Sequence, residues 1–510
     1  MEPRCLVAAV SFLEDSVVPD QRNRRRFAIV GGVGALGAAD AFFKLVKALP
    51  ARSASSQADI LFEQHPFREE ESPGDRGASQ NARKIYVFDM IQAFAARHVD
   101  TVLLPCFLSH TFIDEIAAEA TLPVVNMMEA LCDYVRRYHP DVRTLGVLTS
   151  DYVRDRGLFE RYFPASEWTL RYPADDVQRD CVMPAIYGPD GIKAGCLRGA
   201  SVEKLLRACE DLAGQGAELI LPGFSEIPVV IDVLHERGIP IIDANQIYAD
   251  YAASGRAAQK ARPFKIGVVG GVGPAATVDF MNKIVRNTPA KRDQEHLKVV
   301  VEQNPQIPDR TENLLGNGVD PTIALYSTCK KLEADEADII AIPCNTAHAF
   351  VERIQPYLSI PIVNMLFETV EYIKKCCKGR TAVGLLATSG TIGSRVYHDV
   401  IVPAGFELIV PDTENQKRVM DAIYGPQGVK AGFTTGQCVD DLMQAMTSLV
   451  VRGAEIIVLG CTELPLLVER SDALPVAGKT VVVLDPTDIL AKKCVSLGTS
   501  SMQRAEYGGE

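Results

Sequence analysis

The sequence predicts an α/β protein built as a tandem pair of similar domains. Each domain is expected to have two pseudo-symmetric lobes, a central mostly parallel sheet and a cleft between the lobes. Three observations predict this fold class: the chain repeats itself, apolar β-like runs alternate with helical stretches, and small-residue turns and cysteines follow strands at equivalent places in both halves. Strands separated by helical segments form βαβ units, and such units build parallel sheets.

The internal repeat sets the domain organisation. FAIVGGVG at Phe27–Gly34 returns as IGVVGGVG at Ile266–Gly273, a shift of about 239 residues. YGPDGIKAG at Tyr187–Gly195 returns as YGPQGVKAG at Tyr424–Gly432, a shift of about 237 residues. So steady a shift indicates a tandem duplication. We expect an N-terminal extension (1–24), a first domain (25–255), a linker in which Ala, Gln, Lys and Arg replace the apolar pattern (256–263), a second domain (264–497) and a C-terminal tail (498–510).

Continuous apolar runs in the second half predict buried parallel strands. Small-residue turns follow two of these strands, at Gly270–Gly273 and at Ala387–Thr391, and a cysteine-bearing strand end comes later in each portion. Each half is therefore expected to contain two similar lobes. The predicted strands are Lys265–Val269, Leu297–Glu302, Asp338–Ile342, Ile360–Val363, Thr381–Leu386, Glu407–Val410, Ile456–Leu459 and Thr480–Leu484.

Composition excludes several classes of protein. The 510 residues carry a net charge of −12, which argues against a nucleic-acid partner. No apolar run reaches the ~18 residues of a transmembrane helix, and the acidic N-terminal residues fit a targeting peptide poorly. We expect a cytoplasmic protein with no membrane partner. The 13 cysteines form no zinc-type pairs, so neither a disulfide framework nor a metal is expected.

Two cysteine motifs carry the predicted chemistry. PCNTAH at Pro343–His348 and GCTELP at Gly460–Pro465 each follow an apolar strand. Open α/β sheets bind ligands at the carboxyl ends of their strands. A helix beginning there is expected to favour a thiolate and to lower the pKa of the cysteine. Cys344 and Cys461 are therefore predicted to face one substrate from opposite sides as a pair of acid/base groups.

With these motifs, the second half resembles the aspartate/glutamate racemase family. The resemblance runs roughly from Phe264 to Leu497 and includes GGVGPAAT, NPQIPDRT, PCNTAH, YGPQGVKAG and GCTELP, in that order. It implies a racemase that inverts aspartate or glutamate without PLP or another cofactor. Members of this family commonly pair. The resemblance therefore implies that the two halves pair with each other, and it leaves a homo-oligomer open.

The chemistry explains why two thiols are needed. An amino-acid α-proton is far less acidic than a thiol, so the developing carbanion needs fixed donors in a closed site. One thiolate removes the proton from one face and the other thiol delivers a proton from behind. A single base would tend to return the proton to the face from which it came.

The substrate-binding residues are predicted around these thiols. Asn345, Thr346 and Thr462 offer donors for the α-carboxylate, and the resemblance implies this role for Asn345 and Thr346. Arg310 and Lys430 match the family's two basic positions for an acidic substrate. A guanidinium fork and an ammonium group both suit a second carboxylate.

The first half is expected to be catalytically silent. Cys106 and Lys193 survive there, but no counterpart of Arg310 is identifiable between His65 and Asn81. A phenyl ring at the second thiol position can neither accept nor donate a proton. The replacements are Phe107 and Leu108 for Asn345 and Thr346, Phe224 for Cys461, and Ser225 for Thr462.

Other interpretations stay open at this point. The fold suits a dicarboxylate isomerase or decarboxylase, and the silent half suits an amino-acid-binding protein that is not an enzyme. Gly32–Gly37 fits the GxGxxG pattern of a nicotinamide-dependent oxidoreductase, although this pattern alone is weak. Glu463 is expected either to polarise Cys461 or to cap the next helix. His348 is left outside the catalytic set.

Overall fold

The structure is a computed structural model that describes residues 25–49, 58–65, 67, 79–256 and 263–507, with side chains to residue 501. The chain divides into two compact units, Met1–Arg262 (unit 1) and Pro263–Glu510 (unit 2). The predicted N-terminal extension (1–24) and most of the predicted linker lie outside the described residues. No helix in the described ranges combines the length and apolar character needed to cross a bilayer.

The described part of unit 1 alternates strands and helices. The strands are β1 (Arg26–Val30), β2 (Asp59–Glu63), β3 (Thr101–Leu103), β4 (Val124–Val125), β5 (Thr144–Leu148), β6 (Thr169–Arg171) and β7 (Leu219–Pro222). The helices are α1 (Ala35–Ala48), α2 (Asn81–Ala95), α3 (Phe107–His110), α4 (Ile113–Glu119), α5 (Met127–Tyr138), α6 (Asp151–Asp155), α7 (Leu158–Tyr162), α8 (Asp175–Val177), α9 (Met183–Tyr187), α10 (Ala200–Gly214), α11 (Ile231–Glu236) and α12 (Ala244–Ala253).

Unit 2 follows the same plan. The strands are β8 (Lys265–Gly270), β9 (Lys298–Gln303), β10 (Ile339–Ala341), β11 (Ile362–Val363), β12 (Ala382–Leu386), β13 (Glu407–Ile409), β14 (Ile456–Leu459), β15 (Ser471–Val476) and β16 (Lys479–Leu484). The helices are α13 (Pro274–Asn287), α14 (Arg310–Leu314), α15 (Thr322–Ala334), α16 (Val351–Ile354), α17 (Met365–Cys376), α18 (Ser389–Gly393), α19 (His398–Ile401), α20 (Thr413–Tyr424), α21 (Gln437–Val451) and α22 (Pro486–Tyr507).

The described residues of each unit form two sheets. The strand orders are β2-β1-β3-β4 and β6-β5-β7 in unit 1, and β11-β10-β8-β9 and β13-β12-β14-β16-β15 in unit 2. Every pairing is parallel except that of β15 with β16. The central strands β12 and β14 are buried along their whole length, as strands covered on both faces are. The predicted α/β fold with mostly parallel sheets is confirmed.

The predicted strands of the second half agree with the structure to within two residues at each end. The sequence missed β15, which lies at the edge of its sheet. Its side chains are mostly exposed and it contains Pro475. A strand that faces solvent lacks the continuous apolar run by which the others were predicted, and proline suits an edge position.

Repeated asparagines fix the first helix after each short strand. Asn364 precedes α17, and its side chain accepts hydrogen bonds from the backbone N–H groups of Leu366 and Phe367. Asn126 caps α5 in the same way. This capping satisfies N–H groups that an uncapped helix leaves unpaired. The repeated Val-Asn-Met sequence is therefore a strand end followed by a helix cap.

The glycine turn after β8 brings backbone close to the cysteine motif of the other lobe. Gly273 has a φ of +119°, a conformation that favours glycine. A Cβ atom there would lie 2.5 Å from Oε1 of Glu463. The turn therefore needs glycine both for its backbone conformation and for the space that the Glu463 carboxylate occupies.

Candidate active site

A small cavity in unit 2 receives side chains from both of its lobes. One set follows β10 and the other follows β14, so the two cysteine motifs meet at the same place. The cavity measures about 10 Å³ and is lined by Val272, Arg310, Thr311, Cys344, Asn345, Thr346, Thr388, Tyr424, Lys430, Cys461, Thr462 and Glu463. The structure thus brings all seven predicted site residues to one cavity.

Cys461 lies beside a carboxylate. Its Sγ donates a hydrogen bond to Oε2 of Glu463 at 3.1 Å, and both residues are buried. Burial and the charge of Glu463 raise the pKa of Cys461 well above its ordinary value, although Lys430 opposes the shift. The prediction that a helix start lowers the pKa of this thiol is therefore wrong. Only a three-residue 3₁₀ helix follows, at Leu464–Leu466, and its short dipole cannot offset burial beside a carboxylate.

Glu463 also pairs with Lys430. The Nζ of Lys430 lies 3.3 Å from Oε1 of Glu463 and 4.9 Å from the centre of the Tyr424 ring. Burial alone would lower the pKa of Lys430, but Glu463, Tyr424 and the two cysteines hold it above its ordinary value. The lysine is therefore a protonated ammonium group in this cavity.

Arg310 is buried on the side of the cavity that holds Cys344. It is 7% exposed, and its Nη1 donates to the carbonyls of Ile307 and Pro308. Asp309 caps α14, which fixes the backbone from which the arginine projects. Burial alone would lower the pKa of Arg310, but Cys344 and Asp309 hold it above its ordinary value. The two thiols therefore have opposite neighbours, a guanidinium beside Cys344 and a carboxylate beside Cys461.

Two buried donors of the cavity have no hydrogen-bond partner among the described residues. One is Nε of Arg310 and the other is Nδ2 of Asn345. The Asn345 amide is held by its other end, because Oδ1 accepts a 2.6 Å hydrogen bond from the hydroxyl of Tyr397. Buried donors without partners are costly. Both belong to residues that line the cavity, where an acceptor such as a carboxylate would satisfy them.

A cluster of threonine hydroxyls joins the two lobes next to the cavity. Thr311 donates to Thr388 at 3.1 Å, and Thr346 and Thr391 share a hydrogen bond of 2.7 Å. The Thr388 hydroxyl also caps α18 by accepting from the N–H of Thr391. These contacts hold the lobes together around the thiols.

Both ring nitrogens of His348 hydrogen-bond to backbone groups. Its Nδ1 lies 2.9 Å from the carbonyl of Cys344, and its Nε2 accepts from the N–H of Met365 at 3.1 Å. Burial lowers its pKa, so the ring is neutral. His348 therefore ties the end of β10 to the start of α17, and both of its nitrogens are occupied.

Sequence reasoning missed Tyr424, Thr388 and Thr311, which also line this cavity. Tyr424 opens the repeated nine-residue motif, and Thr388 lies in one of the small-residue turns, so both stood within motifs that the repeat had already marked. Thr311 is adjacent to the predicted Arg310. The signal was present, but nothing in the sequence shows that these side chains face the thiols.

The cavity has room for about one water molecule. The side chains of both lobes therefore lie close together around the thiols.

Comparison with known proteins identifies relatives of both units. The model of the family Asp/Glu/Hydantoin racemase matches residues 30–252 and 269–494. Broad specificity amino-acid racemase RacX of Bacillus subtilis (strain 168) is 28% identical over 239 residues, covering 45% of this chain and 96% of RacX. Glutamate racemase of Shewanella sp. (strain MR-4) is 29% identical over 168 residues, covering 32% of this chain and 58% of that protein.

Among solved structures, Picrophilus torridus aspartate racemase is 28% identical, with a TM-score of 0.41. The alignment covers 46% of this chain and 94% of that one. The family model matches each unit separately, which confirms the tandem duplication and the resemblance stated from the motifs.

Proposed function

The chain belongs to the Asp/Glu/hydantoin racemase family, and we propose that unit 2 racemises an acidic amino acid by a two-thiol mechanism without a cofactor. One observation carries the proposal: Cys344 and Cys461 line a single cavity together with Arg310 and Lys430. Two acid/base groups can invert a stereocentre, and two cations suit the carboxylates of an anionic amino acid. The relatives with curated names are amino-acid racemases.

The two thiols have different surroundings. Cys344 faces the Arg310 guanidinium. Cys461 faces the Glu463 carboxylate and has a raised pKa, so it rests as a thiol. We propose that the Cys344 thiolate accepts the Cα proton while the C–H electron pair moves into the substrate carboxylate. Cys461 then donates its proton to the opposite face of Cα, which leaves Cys344 as thiol and Cys461 as thiolate. The reverse reaction uses the opposite roles.

An acidic substrate fits the charges of the cavity. Arg310 and Lys430 supply two cations for the two carboxylates of aspartate or glutamate. The unpartnered donors of Arg310 and Asn345 suit the oxygens of two carboxylates. The relatives bear three descriptions, broad specificity, glutamate racemase and aspartate racemase, so the choice of substrate is to be measured.

The state of Lys430 supports cofactor independence. A lysine that forms a Schiff base must react as a neutral amine. Burial beside Glu463 and Tyr424 holds the pKa of Lys430 above its ordinary value, so it stays charged. Developing negative charge at the substrate carboxylate would instead be stabilised by Arg310, Lys430 and fixed polar groups.

A chiral assay without added cofactor tests the proposal. We expect the full chain to interconvert the enantiomers of aspartate or glutamate and to leave neutral amino acids nearly unchanged. Cys344→Ser and Cys461→Ser should each lower the rate at least about 100-fold, because each removes an acid/base group. Cys106→Ser is the matched control, since it changes the equivalent cysteine of unit 1, and it should be as active as the unmodified chain.

The same assay separates the remaining interpretations. A dicarboxylate isomerase or decarboxylase would give a product that is not an enantiomer, and a binding protein would leave the amino acid unchanged. Activity that requires added PLP or NAD would contradict the proposal. We also propose a cytoplasmic location, because the mechanism needs two thiols that stay reduced, and cell fractionation tests it.

A further inference from the structure

The hydroxyl of Tyr397 is linked to the candidate active site through Asn345. It donates a 2.6 Å hydrogen bond to Oδ1 of Asn345, and both side chains are buried. Burial raises the pKa of Tyr397, so the hydroxyl keeps its proton and acts as a donor. Among the described residues that line the cavity of unit 2, Asn345 is present and Tyr397 is not. The hydroxyl therefore acts on the cavity through the orientation of the Asn345 amide.

The orientation of this amide decides what it offers to a substrate. Oδ1 accepts hydrogen bonds and Nδ2 donates them, so a half-turn of the amide exchanges a donor for an acceptor. Because Tyr397 donates to Oδ1, Nδ2 of Asn345 is left for another partner. Nδ2 is buried and has no hydrogen-bond partner within the described part of the chain. A carboxylate of the substrate accepts hydrogen bonds and does not donate them, so this orientation suits it.

The repeat locates the counterpart of this tyrosine in unit 1. Thr388 caps α18 through its hydroxyl, and Ser150 caps α6 in the same way. Gly157 and Arg395, which follow these two helices, have φ values of 61° and 62°. Both comparisons give a shift of about 238 residues. The same shift relates the tyrosine to Phe159.

Both members of the hydrogen-bonded pair are replaced in unit 1. Phe107 stands where Asn345 does, and Phe159 stands where Tyr397 does. The two phenyl rings are buried and stack with their centroids 5.9 Å apart. A tyrosine hydroxyl buried against Phe107 would lack its acceptor, which is costly. The hydroxyl is therefore present in the unit that has the amide and absent from the unit that lacks it.

The replacement extends to a third buried position. Thr369 on α17 is a hydrogen-bonding neighbour of the Tyr397 hydroxyl. The same shift places Leu131 at this position in unit 1, and both residues are buried. Three polar positions of unit 2 are thus three apolar positions of unit 1. This joint change links the hydroxyl to the amide that it holds.

We propose that Tyr397 is a positioning residue of the active site, which holds the Asn345 amide so that Nδ2 donates to a carboxylate of the substrate. Asn345 follows β10 and Tyr397 follows α18, so the pair also joins the two lobes of unit 2. The inference rests on the function proposed for unit 2, because it concerns how that site holds an acidic amino acid. It predicts that the hydroxyl matters only while the amide is present.

A double-mutant cycle tests the proposal. Asn345→Ala should lower kcat/KM about 100-fold by removing a fixed donor, and Tyr397→Phe should lower it about tenfold by releasing the amide. The double variant should be no slower than Asn345→Ala, whereas independent effects would multiply to about 1000-fold. Isothermal titration calorimetry with an equimolar mixture of the aspartate enantiomers, or of glutamate if it is preferred, should show the same non-additivity in the dissociation constant.

Tyr248→Phe in unit 1 is the matched control. Tyr248 is also buried, and its hydroxyl accepts from the N–H of Leu104 and donates to the carbonyl of Val125. Removing this hydroxyl should lower the thermal stability of the chain and leave kcat/KM and the dissociation constant unchanged. An equal loss of activity in Tyr397→Phe and Tyr248→Phe would indicate general destabilisation and would overturn the positioning role.

The failure of this proposal can be distinguished from failure of the racemase proposal. Additive effects of Tyr397→Phe and Asn345→Ala in a chain that racemises its substrate would overturn the positioning role alone. A chain that binds the amino acid without racemising it would contradict the racemase proposal alone. The dissociation constants would then support the positioning role if they are non-additive and overturn it if they are additive. A chain that neither binds nor converts an acidic amino acid would overturn both.

Discussion

Glu463 gives Cys461 an environment that Cys344 does not share. Its carboxylate accepts the thiol hydrogen bond and also pairs with Lys430. Burial and this negative charge raise the pKa of Cys461. In one direction of the proposed reaction Cys461 must act as the base. The rate in that direction should therefore rise with pH until Cys461 is deprotonated.

Glu463→Gln should move this pH dependence. Removing the charge lowers the pKa of Cys461, so the rising limb for one enantiomer should shift to lower pH. The measurement is kcat/KM against pH for each enantiomer of aspartate. Glu226→Gln is the matched control, because the equivalent carboxylate in unit 1 has Phe224 and not a thiol beside it. Identical profiles for the Glu463 variant and the unmodified chain would contradict this role.

At the residue scale, the sequence identified the residues of the candidate site but not the charged groups that surround each of them. Both cysteines, both cations and the three polar residues could be predicted because they lie in motifs with fixed positions. The raised pKa of Cys461 could not be predicted, because it depends on which charged side chain packs against the buried thiol.

The contact between α14 and α18 controls how closely the lobes of unit 2 approach. Gly390 in α18 faces Thr311 in α14, and a Cβ atom at position 390 would lie 2.8 Å from Cα of Thr311. Thr311 also donates to Thr388 at the same junction. Only glycine permits this approach, so the close packing of the two helices depends on the absence of a side chain at position 390.

Gly390→Val should hold the two helices apart. Displacing Arg310 and the threonines by about 1 Å should lower kcat/KM for the racemised substrate about 100-fold. Gly393→Ala is the matched control in the same helix, because no atom lies within 4 Å of the added Cβ. Equal activity of the two variants in the chiral assay would show that close approach of the lobes is not required.

Buried histidines link a strand end to a helix start in each unit. In unit 1, Nδ1 of His110 lies 2.9 Å from the carbonyl of Cys106, and Nε2 accepts from the N–H of Met127. Burial lowers the pKa of His110 from 6.5 to about 4. The unfolded chain therefore binds a proton at a higher pH than the folded chain does. The stabilisation is complete above pH 6.5 and is lost as the pH falls from 6.5 to about 4.

This linkage predicts a pH-dependent loss of about 3 kcal/mol in the unfolding free energy of unit 1. Denaturant unfolding followed at several pH values between 7 and 4 would measure it. His110→Asn should have a lower stability at pH 7 and a weaker dependence on pH. His98→Asn is the control, because His98 is exposed and asparagine tolerates its positive φ. A pH dependence that His110→Asn leaves intact would contradict the assignment.

The secondary-structure elements of unit 2 were predicted most accurately. The buried strands of unit 2 followed directly from their apolar runs, because parallel strands covered on both faces leave a continuous signal. β15 was not predicted, because an exposed edge strand lacks this continuous apolar run. The segments after Cys344 and Cys461 begin as 3₁₀ helices and not as the expected α-helices. After Cys344 the chain forms a 3₁₀ helix at Thr346–Phe350 before α16 begins, and apolar periodicity does not distinguish the two at this length.

At the scale of the whole molecule, we propose that the two units pair and that unit 1 takes the place of a second subunit. The proposal is motivated by the duplication itself and by the family match to both units. Unit 2 expressed alone, from Phe264 to Glu510, should self-associate or lose most of its activity. Size-exclusion chromatography with light scattering, together with the chiral assay, would measure both. A unit 2 that is monomeric, stable and fully active on its own would contradict the proposal that the two units pair.

Solvent deuterium labelling tests the two-thiol mechanism most directly. The full chain is incubated with one enantiomer of aspartate, or of glutamate if that is the preferred substrate, in deuterium oxide. Both enantiomers are then analysed early in the reaction. If one thiol removes the proton and the other delivers a solvent-derived deuteron, the product enantiomer carries deuterium at Cα while the remaining substrate carries almost none. Equal labelling of both pools, or a product without deuterium, would contradict the account.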